Sequence, residues 1–305
     1  MAITAAQVKE LRERTGAGMM DCKKALQEAN GDMDKAIEIL RKKGIAKAAK
    51  KADRVASEGT IAVEVSEDNK CATIVEVNSE TDFVAKNETF QKLVEKVKTH
   101  ISTSTVESVE ELYKSEIDGA TFEEYMKAEI AKIGENIVVR RFDRICVEGA
   151  GIVSGYLHMG GKIGVIVAAT CDKEETCAAI KDLLKDIAMH IAAMNPLYLD
   201  EASIPADVIE KEKEIAKAQL EKEGKPANII EKIIPGKIKK FVEENTLLGQ
   251  KFVKDDKKSV KQVLDEAAKA AGGEAKIVRF VRYELGEGIE KKEEDFAAEV
   301  AAQMK

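Results

Sequence analysis

Three histidines, His100, His158 and His190, stand far apart in the chain, and neither an H-E-x-x-H pattern nor a Cys-His cluster accompanies them. That spacing offers no zinc site and no sequence-evident nucleophile and base. His190 falls with Ile187, Ile191 and Met194 on one helical face and reads as a packed imidazole, whereas His158 falls at the tip of a hairpin and reads as exposed. Gly149-Ala150-Gly151 with Gly155 is similar to a dinucleotide loop, but its third glycine comes one residue late and β-like sequence follows, where a pyrophosphate needs a helix N-terminus. These glycines read as a strand start. Gly160-Gly161-Lys162 lacks the spacing and trailing Ser or Thr of a P-loop. Cys22, Cys71, Cys146, Cys171 and Cys177 form an odd set without C-x-x-C spacing, mostly within apolar stretches, and read as reduced core thiols. The expectation is a chain with no covalent chemistry, no bound metal and no cofactor. The most unusual local sequence is Ser79-Glu80-Thr81-Asp82-Phe83-Val84-Ala85-Lys86-Asn87, which sets an aromatic side chain beside an acidic one. By its residues alone, Phe83 reads as a core anchor, with Asp82 or Asn87 capping the helix that follows.

The elements around these residues are legible as periodicity and punctuation. Thr4-Ala5-Ala6-Gln7 is a capping-box pattern, and Val8 and Leu11 continue it at helical spacing until Thr15 to Gly18 interrupts. A second helix runs from about Met19 to Ala29 and ends at Asn30-Gly31, residues that tolerate a left-handed cap. A third carries Ala36, Ile37 and Leu40 before Gly44, which completes a small bundle. The basic stretch Lys42 to Arg54 then reads as a solvated helical linker. Alternating runs at Thr60 to Val65 and Cys71 to Val77, parted by Glu67-Asp68-Asn69, predict a hairpin, and Gly151 to Leu157 with Ile163 to Ala169 predict another around Gly160-Gly161. Each hairpin leads through helical sequence to an isolated strand, Ile137 to Phe142 and Ile277 to Arg282, which suggests an internal duplication.

From Glu58 to Ile137 the first copy spans 79 positions, and from Glu148 to Ile277 the second spans 129, an excess of 50. The excess fits the Lys- and Glu-rich stretch between Pro196 and Thr246, whose apolar residues predict two amphipathic helices turned back at Gly224-Lys225-Pro226. A proline inside a helix costs about 3 kcal/mol, so Pro235-Gly236 predicts a kink or an early end. The expected class is α+β: a three-helix module with its linker at 1–54, core subdomains at 55–147 and at 148–196 with 246–289, an antiparallel coiled-coil insertion at 197–245, and a C-terminal helical module at 290–305, its helix beginning near Glu293.

Charged residues make up 34% of the 305 residues and aromatics only 4%, without tryptophan, which favours solvated helices. The net charge of -7 opposes broad attachment to nucleic acid or to an anionic membrane, so a protein partner suits the surface better. The N-terminus lacks a signal-peptide pattern and no apolar run approaches the length of a membrane span, so the expected location is cytoplasmic.

Thr81-Asp82-Phe83-Val84-Ala85-Lys86-Asn87 resembles a signature of the elongation factor Ts family, and Leu11 to Leu26, which includes Thr15-Gly16-Ala17-Gly18-Met19-Met20-Asp21-Cys22, is similar to the family's N-terminal motif. Lys132-Ile133-Gly134-Glu135-Asn136, Leu248-Gly249-Gln250 with Phe252-Val253, and Gly286 to Lys291 resemble later family segments in the same order. The resemblance implies a guanine-nucleotide exchange factor whose partner is elongation factor Tu, GDP-bound or nucleotide-free, with no direct nucleic-acid or membrane contact. It implies an N-terminal module of the ubiquitin-associated kind. It further implies that Thr81, Asp82, Phe83 and Val84 dislocate the Mg2+ of Tu, and that Arg12, Met19, Met20 and His158 contact the partner. The rival readings are a scaffold using the N-terminal module and the coiled arm, and a dinucleotide enzyme built on Gly149 to Gly155.

Overall fold

The computed structural model describes residues 3–290, which form a mixed α+β fold. The expected C-terminal helix near Glu293 lies outside the described residues. In chain order the helices are α1 Ala5–Thr15, α2 Met19–Glu28, α3 Met33–Ala49, α4 Asp82–Ala85, α5 Glu88–Thr103, α6 Val109–Lys114, α7 Phe122–Ile133, α8 Glu174–Met194, α9 Ala206–Lys222, α10 Ala227–Asn245 and α11 Val260–Ala270. The strands are β1 Glu58–Val65, β2 Cys71–Ser79, β3 Glu116–Ile117, β4 Ala120–Thr121, β5 Ile137–Cys146, β6 Gly151–His158, β7 Ile163–Cys171, β8 Lys251–Phe252, β9 Asp255–Ser259 and β10 Ala275–Glu284. The described residues divide into two compact units, 3–60 with 75–142 and 284–290, and 61–74 with 143–283.

The first unit begins with the helical bundle. Thr4 Oγ1 accepts from Gln7 N at 3.3 Å while Gln7 Oε1 accepts from Thr4 N at 3.0 Å, the reciprocal cap that the sequence predicts. Val8, Leu11, Cys22, Ala25, Leu26, Ala29 and Ala36 form the bundle's core. The third helix does not stop at Gly44 as expected. It continues to Ala49, because α3 packs on α7 and Gly44 supplies the close approach: a Cβ there would lie 3.3 Å from that of Ala131. The basic stretch is therefore largely helix, and Lys42, Lys43 and Lys47 pair with Glu38, Glu28 and Asp21.

Beyond the bundle, α5 buries Phe90, Leu93, Val94, Val97 and Ile101 at helical spacing, and each such side chain removed from water is worth about 1.5–3 kcal/mol. The Phe122 ring, at the start of α7, stacks on His100 at 5.6 Å and meets the Tyr113 ring edge-on at 5.5 Å. Glu76 on β2 has no exposed surface. Its carboxylate accepts from Arg141 Nε at 2.6 Å, Gly286 N at 2.8 Å, Asn78 Nδ2 at 3.1 Å and Arg140 Nη1 at 3.2 Å. Burial pushes this carboxyl up, but the Gly286 amide and the Arg141 guanidinium outweigh it and hold the group below its ordinary value.

In the second unit the β6–β7 ladder is antiparallel with Gly151 opposite Thr170 and His158 opposite Ile163. Its core collects Val165 and Val167 of β7, Ile180, Leu184, Ile187 and Ile191 of α8, Val260 and Leu264 of α11, and Ile277 of β10. His190 is buried among them as expected: Val253 N donates to its Nδ1 at 3.1 Å, so Nε2 carries the proton and donates to Gln250 Oε1 at 2.9 Å. α9 and α10 pack on each other and bury Ala216, Leu220 and Ile230, with Gly224 left-handed in the turn. α10 does not end at Pro235. The proline faces solvent, where the Glu231 carbonyl that loses its amide partner can bond to water.

The strand that follows each helical stretch completes a three-stranded sheet. β5 joins the first hairpin in the order β1-β2-β5 and β10 joins the second in the order β10-β7-β6, so in both sheets the third strand lies beside the hairpin's second. The reading of five reduced thiols also fails: Cys71 is bonded to Cys146 and Cys171 to Cys177, leaving Cys22 free and buried. The first pair is 75 residues apart in sequence and the second 6, with Cα atoms 4.1 Å and 5.8 Å apart.

Glu76→Gln removes the buried carboxylate charge from beside Arg140 and Arg141, and because both guanidinium groups are partly solvated and Arg141 keeps Glu287 the expected loss of stability is about 2–4 kcal/mol by chemical denaturation. A carboxyl whose pKa is lowered on folding contributes stability that is complete above its unfolded value, near 4.5, and is lost as pH falls through the lower folded value. The wild-type chain should therefore lose more stability in acid than Glu76→Gln does; equal acid sensitivity would show that Glu76 is not a stabilising charge.

Candidate functional site

β2 ends at Ser79, and two residues later Thr81, in extended conformation, starts the single turn α4. The Thr81 hydroxyl accepts from Val84 N at 3.3 Å, which fixes the turn, and Asn87 Oδ1 accepts from Thr89 N at 2.8 Å to begin α5 immediately afterwards. A one-turn helix cannot bury a stripe, and the sequence decides which side faces in: Ala85 is buried, Val84 is half-buried and Phe83 is 81% exposed. Phe83 is thus no core anchor. Asp82 stands beside it with Lys86 Nζ at 2.7 Å, and this contact raises the lysine's pKa. Leaving a phenylalanine in water forgoes roughly 1.5–3 kcal/mol, which a partner's pocket can recover.

What holds the turn comes from elsewhere in the same unit. Glu135, just past the end of α7, accepts from Thr81 N at 3.0 Å and from Thr81 Oγ1 at 2.7 Å. Its neighbour Asn136 donates its amide to Glu80 Oε1 at 2.6 Å. Gly134, left-handed with φ 93°, closes α7 and turns the chain so that these two residues meet the loop. Sequence reasoning noted Lys132 to Asn136 only for its likeness to a family segment and missed Glu80, Glu135 and Asn136 as supports. A glycine that ends a helix directly before an acidic residue and an amide was the available signal.

The other expected contact residues are also at the surface. Met19 and Met20, 58% and 63% exposed, form the start of α2 after Gly18, so they are not the core pair that their apolar character allows. Arg12 is exposed in the last turn of α1. The buried Cys22 thiol is pushed up by burial, and Arg12 is close enough to oppose that shift electrostatically. These three share a unit with the Asp82–Phe83 turn, in separate elements. His158 belongs to the other unit, at the exposed end of β6, where its Nδ1 lies 3.2 Å from the Tyr156 hydroxyl and is followed by exposed Met159. Among the described residues no group of three or more His, Cys, Asp or Glu side chains is arranged to hold a metal, and no helix is long and apolar enough to cross a membrane. What the turn offers is an exposed aromatic ring beside a carboxylate.

Comparison with known proteins identifies the family. The family model described as Elongation factor TS matches residues 80–287, from the residue before Thr81 to Glu287. A protein of a Nitratiruptor species, named Elongation factor Ts, is 89% identical over 305 residues and covers all of both chains. Proteins of the same name from Nautilia profundicola and Clostridium perfringens are 59% identical over 99% of both chains and 54% identical over 98% of both. The signature that exposes Phe83 and the segment that supports it both fall within the matched region, and the chain belongs to the elongation factor Ts family.

Proposed function

We propose that this chain promotes guanine-nucleotide exchange on elongation factor Tu during translation elongation by pressing the Thr81–Val84 turn, led by Asp82 and Phe83, against the partner's Mg2+ and phosphate site. The single observation that carries the reading is the pose of Phe83, held out in water on a turn whose backbone is tied at both ends. The support is physical. Bound Mg2+ demands near-octahedral oxygen geometry and neutralises phosphate charge, so a small displacement of the loops around it loosens the nucleotide strongly. An intruding ring and carboxylate achieve this without a catalytic base. Affinity for the factor and for GDP then oppose each other, because a coupling free energy acts equally in both directions.

Arg12, Met19 and Met20 on the N-terminal module and His158 on the β6–β7 hairpin serve as additional partner contacts in this reading, the methionines supplying an adaptable apolar surface. The working division is a module at 1–54, core subdomains at 55–147 and at 148–196 with 246–289, the α9–α10 pair as an antiparallel coiled arm within 197–245, and a C-terminal module at 290–305. The chain works in the cytoplasm, where its partner is made and used.

Asp82→Ala/Phe83→Ala should slow release of a fluorescent GDP analogue from elongation factor Tu about tenfold or more at saturating factor, the loss typical of a removed interface anchor. Its own stability should change by less than about 0.5 kcal/mol, since Phe83 contributes little to the core. Unchanged release by a folded variant would make the turn merely structural.

The arm gives a second test. Leu197 N and Tyr198 N both donate to Asn245 O, at 3.0 and 3.1 Å, and Leu247 and Leu248 bond back to Tyr198 and Leu199, so the stem closes on itself. Replacing residues 201–243 by a short Gly-Ser link should leave a cooperatively folding protein that still releases GDP, with weaker affinity for Tu at most. A soluble, folded deletion variant inactive at saturation would place the arm inside the release step.

A further inference from the structure

Three residues at the end of α7 face two segments that are distant in sequence. On one side, Lys51 Nζ donates to Gly134 O, and Asn136 Nδ2 donates to Arg54 O at 2.7 Å and to Ala52 O at 3.3 Å, so the exit of the N-terminal module is fastened here. On the other side, Asn136 N donates to Glu80 and the Glu135 carboxylate takes both the amide and the hydroxyl of Thr81. Arg54 Nη1 and Glu80 Oε2, at 3.5 Å, close the circuit directly. Asn136 is buried, so its side-chain amide has protein carbonyls as its alternative to an unsatisfied donor.

We infer that Glu135 and Asn136 are positioning residues, a two-residue post that joins the exit of the N-terminal module to the Asp82–Phe83 turn and makes the turn's pose depend on the module's attachment. The inference rests on the exchange reading given above and names what orients the intruding pair. Thr81 has two groups bound by one carboxylate, a charge-assisted pair that fixes the residue on which α4 is built. Without it the turn still forms through the Thr81 hydroxyl and Val84 N, but it can swing about Glu80 and Thr81, and Phe83 swings with it. Asn136 carries the same constraint one step further, because the carbonyls it holds are those of Ala52 and Arg54 at the foot of the module. A pull on the module is thereby transmitted to the turn through two residues and without movement of α7.

The chain has no tryptophan, so Phe83→Trp introduces a single reporter at the tip of the turn. Its fluorescence anisotropy in the free, full-length protein should fall when Glu135→Ala is added and hold when Glu135→Gln is added, since a glutamine can accept from Thr81 N and donate to Thr81 Oγ1. With Phe83 restored, Glu135→Ala, which removes both hydrogen bonds to the carboxylate, should lower the saturating rate of release of a fluorescent GDP analogue from elongation factor Tu about tenfold or more. The half-saturating concentration should change by less than about threefold, since the binding surfaces remain, and Glu135→Gln should restore most of the rate. Asn136→Asp, which cannot donate to the two carbonyls, should lower both anisotropy and rate, with Asn136→Ser in its place if the charged variant fails to fold. If the wild-type chain does not accelerate release, the exchange reading fails. If Asp82→Ala/Phe83→Ala slows release while Glu135→Ala does not, that reading stands and the post is overturned. Slowing by the Glu135 variant with full rate and anisotropy in the Asn136 variants would overturn the coupling to the module.

Discussion

A carboxylate removed from water has to be answered on every side or it will not ionise, and Glu76 is answered by two other parts of the first unit together with Asn78 of its own strand. Arg140 and Arg141 come from β5, the strand next to β2, and the Gly286 amide comes from the segment after β10. Arg141 also donates to Glu284 O at 3.0 Å and to Glu287 at 3.2 Å, and Arg140 donates to Glu287 O, so the same two guanidinium groups tie that segment down. The position of β2 in its sheet is thus set by charge as well as by the apolar residues that flank Glu76. The site inherits this precision, because Thr81 is only five residues further along the strand's own path.

Charge is used differently at the turn itself. Glu135 is a carboxylate spent on a backbone amide and a hydroxyl, and Asp82 is one kept at the surface beside Lys86. Phe83, next to Asp82, is exposed on a turn that is held through Thr81. A surface with this arrangement tolerates loss of its tip and suffers from loss of its support, the reverse of what holds for a core phenylalanine such as Phe90 or Phe122.

Much of this was readable from residues that act over three or four positions. Thr4 with Gln7 starts α1, Asn30-Gly31 follows α2, and the alternating apolar runs give both hairpins, because caps and alternation are local physics. The failures share a non-local cause. Gly44 looks like a stop until Ala131 is seen beside it, Pro235 looks like a break until its carbonyl partner is seen at the surface, and Cys71 and Cys146 meet only once β5 lies next to β2. Phe83 was readable as exposed through its likeness to a family signature, while the support of Thr81 by Glu135, 54 residues on, depends on a turn at Gly134 that no local pattern specifies.

The order of the strands also sets a schedule for synthesis. In both sheets the central strand, β2 or β7, has its hairpin partner as soon as it emerges, but its second neighbour is β5 or β10, encoded only after the intervening helices. For β7 the wait runs from Cys171 to Ala275, and ribosomes add about 5–20 residues per second, so the open edge of a buried strand persists for seconds on each nascent chain. α8, which packs on both strands of that hairpin and is made directly after it, is the element in place to shield the sheet meanwhile.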